Sequence, residues 1–390
     1  MQMLRHRATK KQKNKWGDFV NKQKQIKIIT RHAIVNHGSL LQSIASIEFF
    51  NNLGYSSQII DYVRRDETYP EITKTFLSQN PQWNRFGKRF LYKIIKGPSF
   101  FVGQKKFRKY RKELLPLSKP YDDITITDKF EADNGTIICA GSDQLWGPVV
   151  SGKLDTNYFL GFAKGYKKIS FSSSIGRNVQ IDDDILRLLN EFDLITVREK
   201  SAKNLLIASG VNCEPLTIMD PTMLVSPNYW NDRASDVINE DYILVYKLHK
   251  SADFDKYILN FAKEKKLKIR RIINSFDDYF GEGKKEFLIH PYRFLSLIKN
   301  AKYIITDSFH CVQFSVIFKK EFLVKVPDKT GSRIIDFLNM FGLKKRIIDF
   351  NSENDIDDNI NYDLVHEKIS IERMNEIDRI KEILGGLNNE

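Results

Sequence analysis

Three short segments of the 390-residue chain place residues able to do acid–base or anion chemistry just after an apolar run. In Thr306-Asp307-Ser308-Phe309-His310-Cys311, the run Tyr303–Thr306 leads to a histidine in the expected first turn of a helix carrying Phe314, Ile317 and Phe318. A histidine there can meet a phosphate or carboxylate and act as acid or base near neutral pH. In Gly141-Ser142-Asp143-Gln144-Leu145-Trp146, the aspartate follows the run Thr136–Ala140 and can orient or deprotonate a hydroxyl. Gln144 and Trp146 beside it are cleft-lining candidates, the indole by stacking on a sugar ring. In Asn36-His37-Gly38-Ser39, a glycine at a helix start permits close approach to free N–H groups that favour an anion. Each segment also has a plainer reading. His310 then is structural, Asn36 or Ser39 caps a helix, and Ser142 or Asp143 caps a turn while Trp146 fills core.

The elements that must position these residues alternate between strand and helix periodicity. Ile26–Thr30 reads as a strand and Ser39–Leu53 as a helix with Leu40, Leu41, Ile44, Ile47 and Phe50 at helical spacing, closed by Gly54. Ser57–Tyr62 completes a βαβ unit. Strands follow at Thr136–Ala140, Lys168–Ser172, Leu194–Val197 and Leu216–Met219, with helices at Asp182–Glu191 and Ser201–Ser209. Asp220-Pro221-Thr222 and Ser226-Pro227 read as a crossing linker. A second alternation runs from the strand Tyr242–Lys247 through Phe254–Lys265, Lys268–Ile273, Pro291–Lys299, Tyr303–Thr306, Phe309–Phe318 and Phe322–Val324. Ser332–Phe341 and Ser370–Leu384 are further helices. The pattern predicts an α/β fold of two Rossmann-like domains facing across a cleft, whose ligands sit beyond the carboxyl ends of parallel strands. The expected divisions are a basic leader at 1–25, an N-terminal domain at 26–222 with a basic helical insertion at about 70–120, and a C-terminal domain at 223–390. The last helix is expected to pack back on the N-terminal domain.

Composition narrows the class. The chain is 42% hydrophobic and 28% charged, as globular proteins are. It contains no uninterrupted apolar stretch of membrane-spanning length. The polar, basic N-terminus lacks a following apolar core, which argues against a secretory signal. Cys139, Cys213 and Cys311 are scattered, which predicts reduced, buried thiols in a cytoplasmic protein and no structural zinc. The net charge of +13 is local. Residues 1–27 carry nine Lys/Arg against Asp18, and residues 85–112 carry eleven with no acid, leaving the remainder at −6. Such a distribution argues against a nucleic-acid-binding face and for attraction to something anionic. The aromatics interleaved at 85–112 (Phe86, Phe90, Tyr92, Phe100, Phe101, Phe107 and Tyr110) suit an anionic membrane surface, or a helical excursion packed on the first domain.

Taken in order, the motifs resemble one family. They are Asn36-His37-Gly38-Ser39-Leu40-Leu41-Gln42, Gly141-Ser142-Asp143-Gln144-Leu145-Trp146, Tyr158-Phe159-Leu160 and Lys168-Ile169-Ser170-Phe171-Ser172-Ser173-Ser174-Ile175-Gly176. Val197-Arg198-Glu199-Lys200-Ser201, Asp220-Pro221-Thr222, Ser308-Phe309-His310 and Ser332-Arg333 follow. Over about residues 26–350 this series is similar to the polysaccharide pyruvyltransferases. The resemblance implies a GT-B-like pair of domains and transfer of pyruvate from phosphoenolpyruvate to a sugar as a cyclic ketal. It also implies roles in capsule, exopolysaccharide or cell-wall polymer assembly. The acceptor would be a sugar carried on a nucleotide or a lipid-linked glycan, at the cytoplasmic face of a membrane, with no cofactor and no metal.

Carried over by position, His310 and Asp143 are the catalytic candidates. Arg198, Arg333, Ser308 and Lys325 are donor-binding candidates, and Asn36, Gly38, Ser39, Gln144 and Trp146 line the cleft or the acceptor. The sequence departs from the family at Ser308, where an arginine is common, at Cys311, where glycine is common, and at His37, where an aromatic is usual. Arg333 or Lys325 is the expected replacement for the missing arginine. Two alternatives remain open at this point: a GT-B glycosyltransferase using a nucleotide sugar, and a non-catalytic scaffold in a glycan-assembly complex.

Overall fold

The isoleucines of β1 (Gln25–Ile29) are fully buried because this strand lies at the centre of a parallel sheet covered on both faces. A computed structural model describes residues 24–79, 87–149, 152–176, 179–328, 331–350, 356 and 359–387. The expected leader up to residue 23 lies outside the described residues, as do Arg85 and Phe86. β2 (Ser56–Tyr62), β3 (Leu117–Tyr121), β4 (Ile137–Ala140) and β5 (Lys167–Ser170) complete the first sheet in the order β3-β2-β1-β4-β5. β6 (Thr196–Val197) and β7 (Leu216–Thr217) pair separately. β8 (Tyr242–Tyr246), β9 (Lys268–Ile273), β10 (Lys284–Phe287), β11 (Tyr303–Thr306) and β12 (Glu321–Val324) form a second sheet in the same arrangement, β10-β9-β8-β11-β12. Every pairing is parallel.

The helices between these strands are α1 (His37–Asn52), α2 (Glu71–Gln79), α3 (Lys88–Leu114), α4 (Thr125–Lys129), α5 (Asp183–Leu189) and α6 (Lys200–Ala208). They continue with α7 (Pro221–Leu224), α8 (Pro227–Arg233), α9 (Ala252–Lys265), α10 (Pro291–Asn300), α11 (Phe309–Ile317), α12 (Ser332–Met340) and α13 (Tyr362–Leu387). The sequence pattern missed β3 and β10. Both are edge strands with polar, partly exposed sequences (LSKPY and KKEF), so neither carries the apolar run that marks a central strand.

α1 is buried nearly all round because it lies between the two sheets' layers, touching α7, α10 and α11 as well as β2. Its large apolar side chains each contribute roughly 1.5–3 kcal/mol by leaving water. His37 explains its own departure from the usual aromatic. Its ring stacks on Phe294 at 4.8 Å and 6°, with Phe107 and Tyr246 edge-on, and Nε2 donates to the Ile289 carbonyl at 3.0 Å. Burial lowers its pKa to about 4 against the opposing carbonyl. The unfolded chain therefore binds a proton near the ordinary value of 6.5, which the folded protein refuses until about 4. Stability from this residue is full above about pH 7 and is lost as pH falls through that window, by about 3 kcal/mol at the acid end. In His37→Phe, which keeps the stacked ring, thermal melts between pH 7 and pH 4.5 should show a shallower acid loss than the parent. Parallel pH profiles would rule this out.

α3 divides the aromatics of the basic segment between core and surface. Phe107 and Tyr110 turn inward, with the Tyr110 hydroxyl donating to Leu288 O at 2.9 Å, while Phe90 and Phe101 stay exposed. Arg111 is also buried, 3.8 Å from Asp61. At the other end of the chain, α13 returns to the segment around α7. Arg373 Nε donates to Met223 O at 2.7 Å, and the Met219 N–H donates to Glu376 at 3.0 Å. Burial pushes the Glu376 carboxyl up to about 8 despite that hydrogen bond.

Candidate active site

β11 delivers His310 by a short turn pinned at Thr306 and Ser308. Thr306 Oγ1 donates to Tyr246 O at 2.7 Å and accepts from Ser308 N at 3.0 Å, which fixes the strand end against β8. Ser308 then caps α11, its hydroxyl accepting from Cys311 N at 3.4 Å, so His310 falls in the first helical turn. Across the interface, Asn36 caps α1 by accepting from Gly38 N at 2.8 Å and Ser39 N at 3.4 Å. This brings Gly38 onto the imidazole so closely that a Cβ there would lie 2.3 Å from His310 Nδ1. Only glycine lets the two strand-end loops meet.

His310 Nε2 points at Asp220 Oδ2, 3.5 Å away, in a cluster of opposed charges. The same carboxylate oxygen accepts from Arg198 Nη1 at 2.6 Å, and its other oxygen accepts from Thr222 N and Oγ1 at 2.9 and 2.7 Å. Asp143 faces Arg198 Nη2 at 3.9 Å and Arg333 Nη1 at 3.7 Å, and accepts a short hydrogen bond from Ser39 Oγ. Both guanidinium groups lie over the Phe309 ring, at 5.0 and 5.2 Å. His310 and the four charged residues beside it are therefore gathered from the ends or edges of five segments of chain.

Burial and charge set the ionisation of this cluster. Burial alone would raise the Asp143 carboxyl, but His310, Arg198, Arg333 and the Ser39 hydrogen bond override it and bring it to about 2. Burial likewise opposes ionisation of Asp220, and Arg198, His310 and Thr222 hold it below the usual carboxylate range. Burial and the neighbouring Arg198 lower Arg333 to about 10 against the pull of nearby carboxylates. Asp143 also sits at φ 84, a left-handed conformation uncommon for a non-glycine residue and concentrated at functional sites.

Of the sequence-derived candidates, the structure gathers His310, Asp143, Arg198, Arg333, Gly38 and Ser39, with Asn36 supporting the loop. Arg198 is no surface residue: Glu199 beside it turns away, accepting from Ser174 Oγ, Ile175 N and Gly176 N. Gln144 packs against Gly176, and its Nε2 is buried without a partner. Trp146 does not line the cleft. It is fully buried, stacked on Phe159 at 5.3 Å with Nε1 donating to Tyr158 O, because Leu145 and Trp146 turn back into the core under the first sheet. The Ser308 hydroxyl is engaged as a helix cap, and Lys325, just past β12, makes no side-chain hydrogen bond or ion pair among the described residues.

The sequence reading missed Asp220, taken for linker, and Phe309. The signal for Asp220 was an acid directly before Pro-Thr, which also caps α7.

The chemical capacity of the site lies in its unused donors. Arg198 Nε and Nη2, Arg333 Nε and Nη1, and His310 Nε2 are all buried without a hydrogen-bond partner. Orphaned donors at this density are costly unless an acceptor-rich group completes them, and two guanidinium forks suit phosphate or carboxylate. Among the described residues no group of three or more His, Cys, Asp or Glu side chains is arranged to hold a metal ion.

A family model described as polysaccharide pyruvyl transferase matches residues 36–329. The sequence matches none of the curated proteins with which it was compared. Among solved structures it is similar to trehalose-6-phosphate synthase, at 9% identity and TM-score 0.52, covering 94% of this chain and 99% of that one. A trehalose-6-phosphate structure from E. coli bound with UDP-2-fluoro glucose aligns with 10% identity and TM-score 0.50, over 94% and 99% of the two chains. UDP-GlcNAc 2-epimerase from Neisseria meningitidis aligns at 11% identity and TM-score 0.47, over 92% and 93%. The first two likenesses are of fold alone, and they give the chain a GT-B-like architecture.

Proposed function

The chain belongs to the polysaccharide pyruvyl transferase family, and from that premise we propose that it moves the pyruvyl group of phosphoenolpyruvate onto two hydroxyls of a sugar. One observation carries this reading: buried N–H groups of Arg198 and Arg333 that make no hydrogen bond lie beside a His310 Nε2 that makes none. Phosphoenolpyruvate brings a phosphate and a carboxylate joined through one carbon whose methylene neighbour must be protonated, so a single small ligand would satisfy all three side chains.

In this reading Arg198 and Arg333 bind the anionic groups, with Ser308 and Lys325 on the donor side. Protonated His310 gives its proton to the methylene carbon, leaving positive charge on the neighbouring carbon. Asp143 orients the first sugar hydroxyl, whose oxygen attacks that carbon. Asp143, still faced by Arg198 and Arg333, does not keep the proton, which passes to the now neutral His310. The second hydroxyl then attacks the same carbon, the carbon–oxygen bond to phosphate breaks, and phosphate leaves with the second hydroxyl proton. Asp220 positions both His310 and Arg198. Asn36, Gly38, Ser39 and Gln144 form the acceptor side.

The test is ligand-dependent thermal stabilisation, since only a ligand of the native state raises the melting temperature. Phosphoenolpyruvate at 100 times its Kd should add about 2.7 kcal/mol. Nucleotide sugars are the control, as one neighbouring structure carries UDP-2-fluoro glucose. Stabilisation by UDP-glucose with none by phosphoenolpyruvate would overturn the donor.

We further propose that the enzyme works at an anionic membrane surface. No helix of the described residues is long and apolar enough to cross a membrane. On α3, Phe101, Lys105, Arg108 and Lys112 recur at i, i+4, i+7 and i+11 and so share one face, with Lys106 and Lys109 alongside. All six are exposed, and Phe101 meets the exposed Tyr69 at 5.8 Å. Each cation near such a surface contributes about 1 kcal/mol. Changing Lys105, Lys106, Arg108, Lys109 and Lys112 to Gln, while leaving the buried Arg111 intact, should largely abolish co-sedimentation with phosphatidylserine vesicles and spare activity on a soluble acceptor. Binding that ignores these changes refutes the contact.

A further inference from the structure

A cavity of about 630 Å³ lies beyond the carboxyl ends of β8 and β9, and the reaction proposed above leaves it unused. Two loops tie it to the active site. Val35 in its lining directly precedes Asn36, the cap that sets Gly38 against His310. Leu248 and His249, also in the lining, donate their backbone N–H groups at 2.6 and 2.9 Å to Asp307, three residues before His310. The cavity is thus linked to the site through the loop that precedes α1 and through the turn that precedes α11.

Its chemistry distinguishes among ligands. Lys247 Nζ lies 2.6 Å from Asp255 Oδ2, and Arg271 Nη1 lies 3.6 Å from Asp255 Oδ1. The amino end of α9 already carries Asp253 and Asp255 in its first turn. A phosphate would have to displace Asp255 from its cations, at the loss of matched charge. A neutral polyol requires no exchange. Each hydroxyl can accept from Lys247 or Arg271 and donate to Asp255. Asn274 supplies a second acceptor, since its Oδ1 is buried without a partner while Nδ2 donates to Tyr246 Oη at 3.3 Å. Phe100 adds an aromatic ring to the lining, against which the C–H face of a sugar packs.

We propose that this cavity is a second saccharide subsite, which holds the sugar next to the one that reacts, so that the acceptor is an oligosaccharide. The inference rests on the reading of the acceptor as a sugar. The test uses the full chain on an array of mono-, di- and oligosaccharides, followed by calorimetry with the best binders, with phosphoenolpyruvate, UDP and inorganic phosphate titrated in parallel. The expected result is at least tenfold tighter binding of a disaccharide or longer chain than of its terminal monosaccharide. Asn274→Ala and Phe100→Ala should each erase that preference with the melting temperature moved by no more than a few degrees and phosphoenolpyruvate affinity unchanged. No preference for longer chains, or a preference indifferent to both variants, overturns the subsite. Loss of UDP or phosphate binding in these variants, with saccharides unaffected, makes the cavity an anion site and also overturns it. The two readings fail separately: a saccharide preference lost in the variants survives a failure to bind phosphoenolpyruvate, and the reverse pattern sinks the subsite alone.

Discussion

His310→Ala is expected to lower kcat by 10²- to 10⁴-fold, the range contributed by a positioned acid–base group, while the melting temperature moves by no more than a few degrees. The imidazole is buried, yet its Nε2 makes no hydrogen bond, so its removal breaks none, and Arg198 and Arg333 still face the two carboxylates. Its neighbours are already held by others: Asp220 by Arg198 and Thr222, Gly38 by Asn36. Steady-state kinetics beside calorimetry separates the outcomes. A variant retaining more than a tenth of parental kcat removes His310 from the chemistry. Unfolding would instead make the residue structural, and His310→Gln, which keeps the volume, then decides between the two.

The two arginines should part company when each is truncated. Arg198→Ala strips a 2.6 Å partner from Asp220, a carboxylate 1% exposed, and an uncompensated buried charge costs about 3–5 kcal/mol. Arg333 reaches Asp143 only at 3.7 Å, through Nη1, and neither Nη1 nor Nε makes a hydrogen bond, so Arg333→Ala should barely alter stability. Its cost should fall on the donor, about 1.5–3 kcal/mol for a lost charged hydrogen bond, or roughly 10- to 150-fold in phosphoenolpyruvate affinity. Calorimetric melts and donor titrations on both variants test the contrast. Unchanged donor affinity in Arg333→Ala rejects the anion-binding role, and Arg198→Ala melting with the parent rejects the buried pair.

The alternation of apolar runs with helical spacing determined the α/β class, and the placement of His310, Asp143, Gly38 and Ser39 just past buried strands determined where chemistry could occur. Both are local properties: burial on two faces demands a β-branched run, and a parallel strand delivers its next few residues to the carboxyl edge of the sheet. Tertiary structure decided the partners and the facing of side chains. Asp220 stood in the sequence as a turn before proline, and only folding sets it against Arg198 and His310, residues 22 and 90 positions away along the chain. Trp146 shares a motif with Asp143 but points the other way, because the chain turns back beneath the sheet where a fully buried indole finds Phe159. In the basic segment, the helical rotation of α3 sends Phe107 and Tyr110 inward and leaves Phe101 with the cations. Composition counts these residues alike, whereas the direction of each Cβ and the layer packed against it decide which reach solvent.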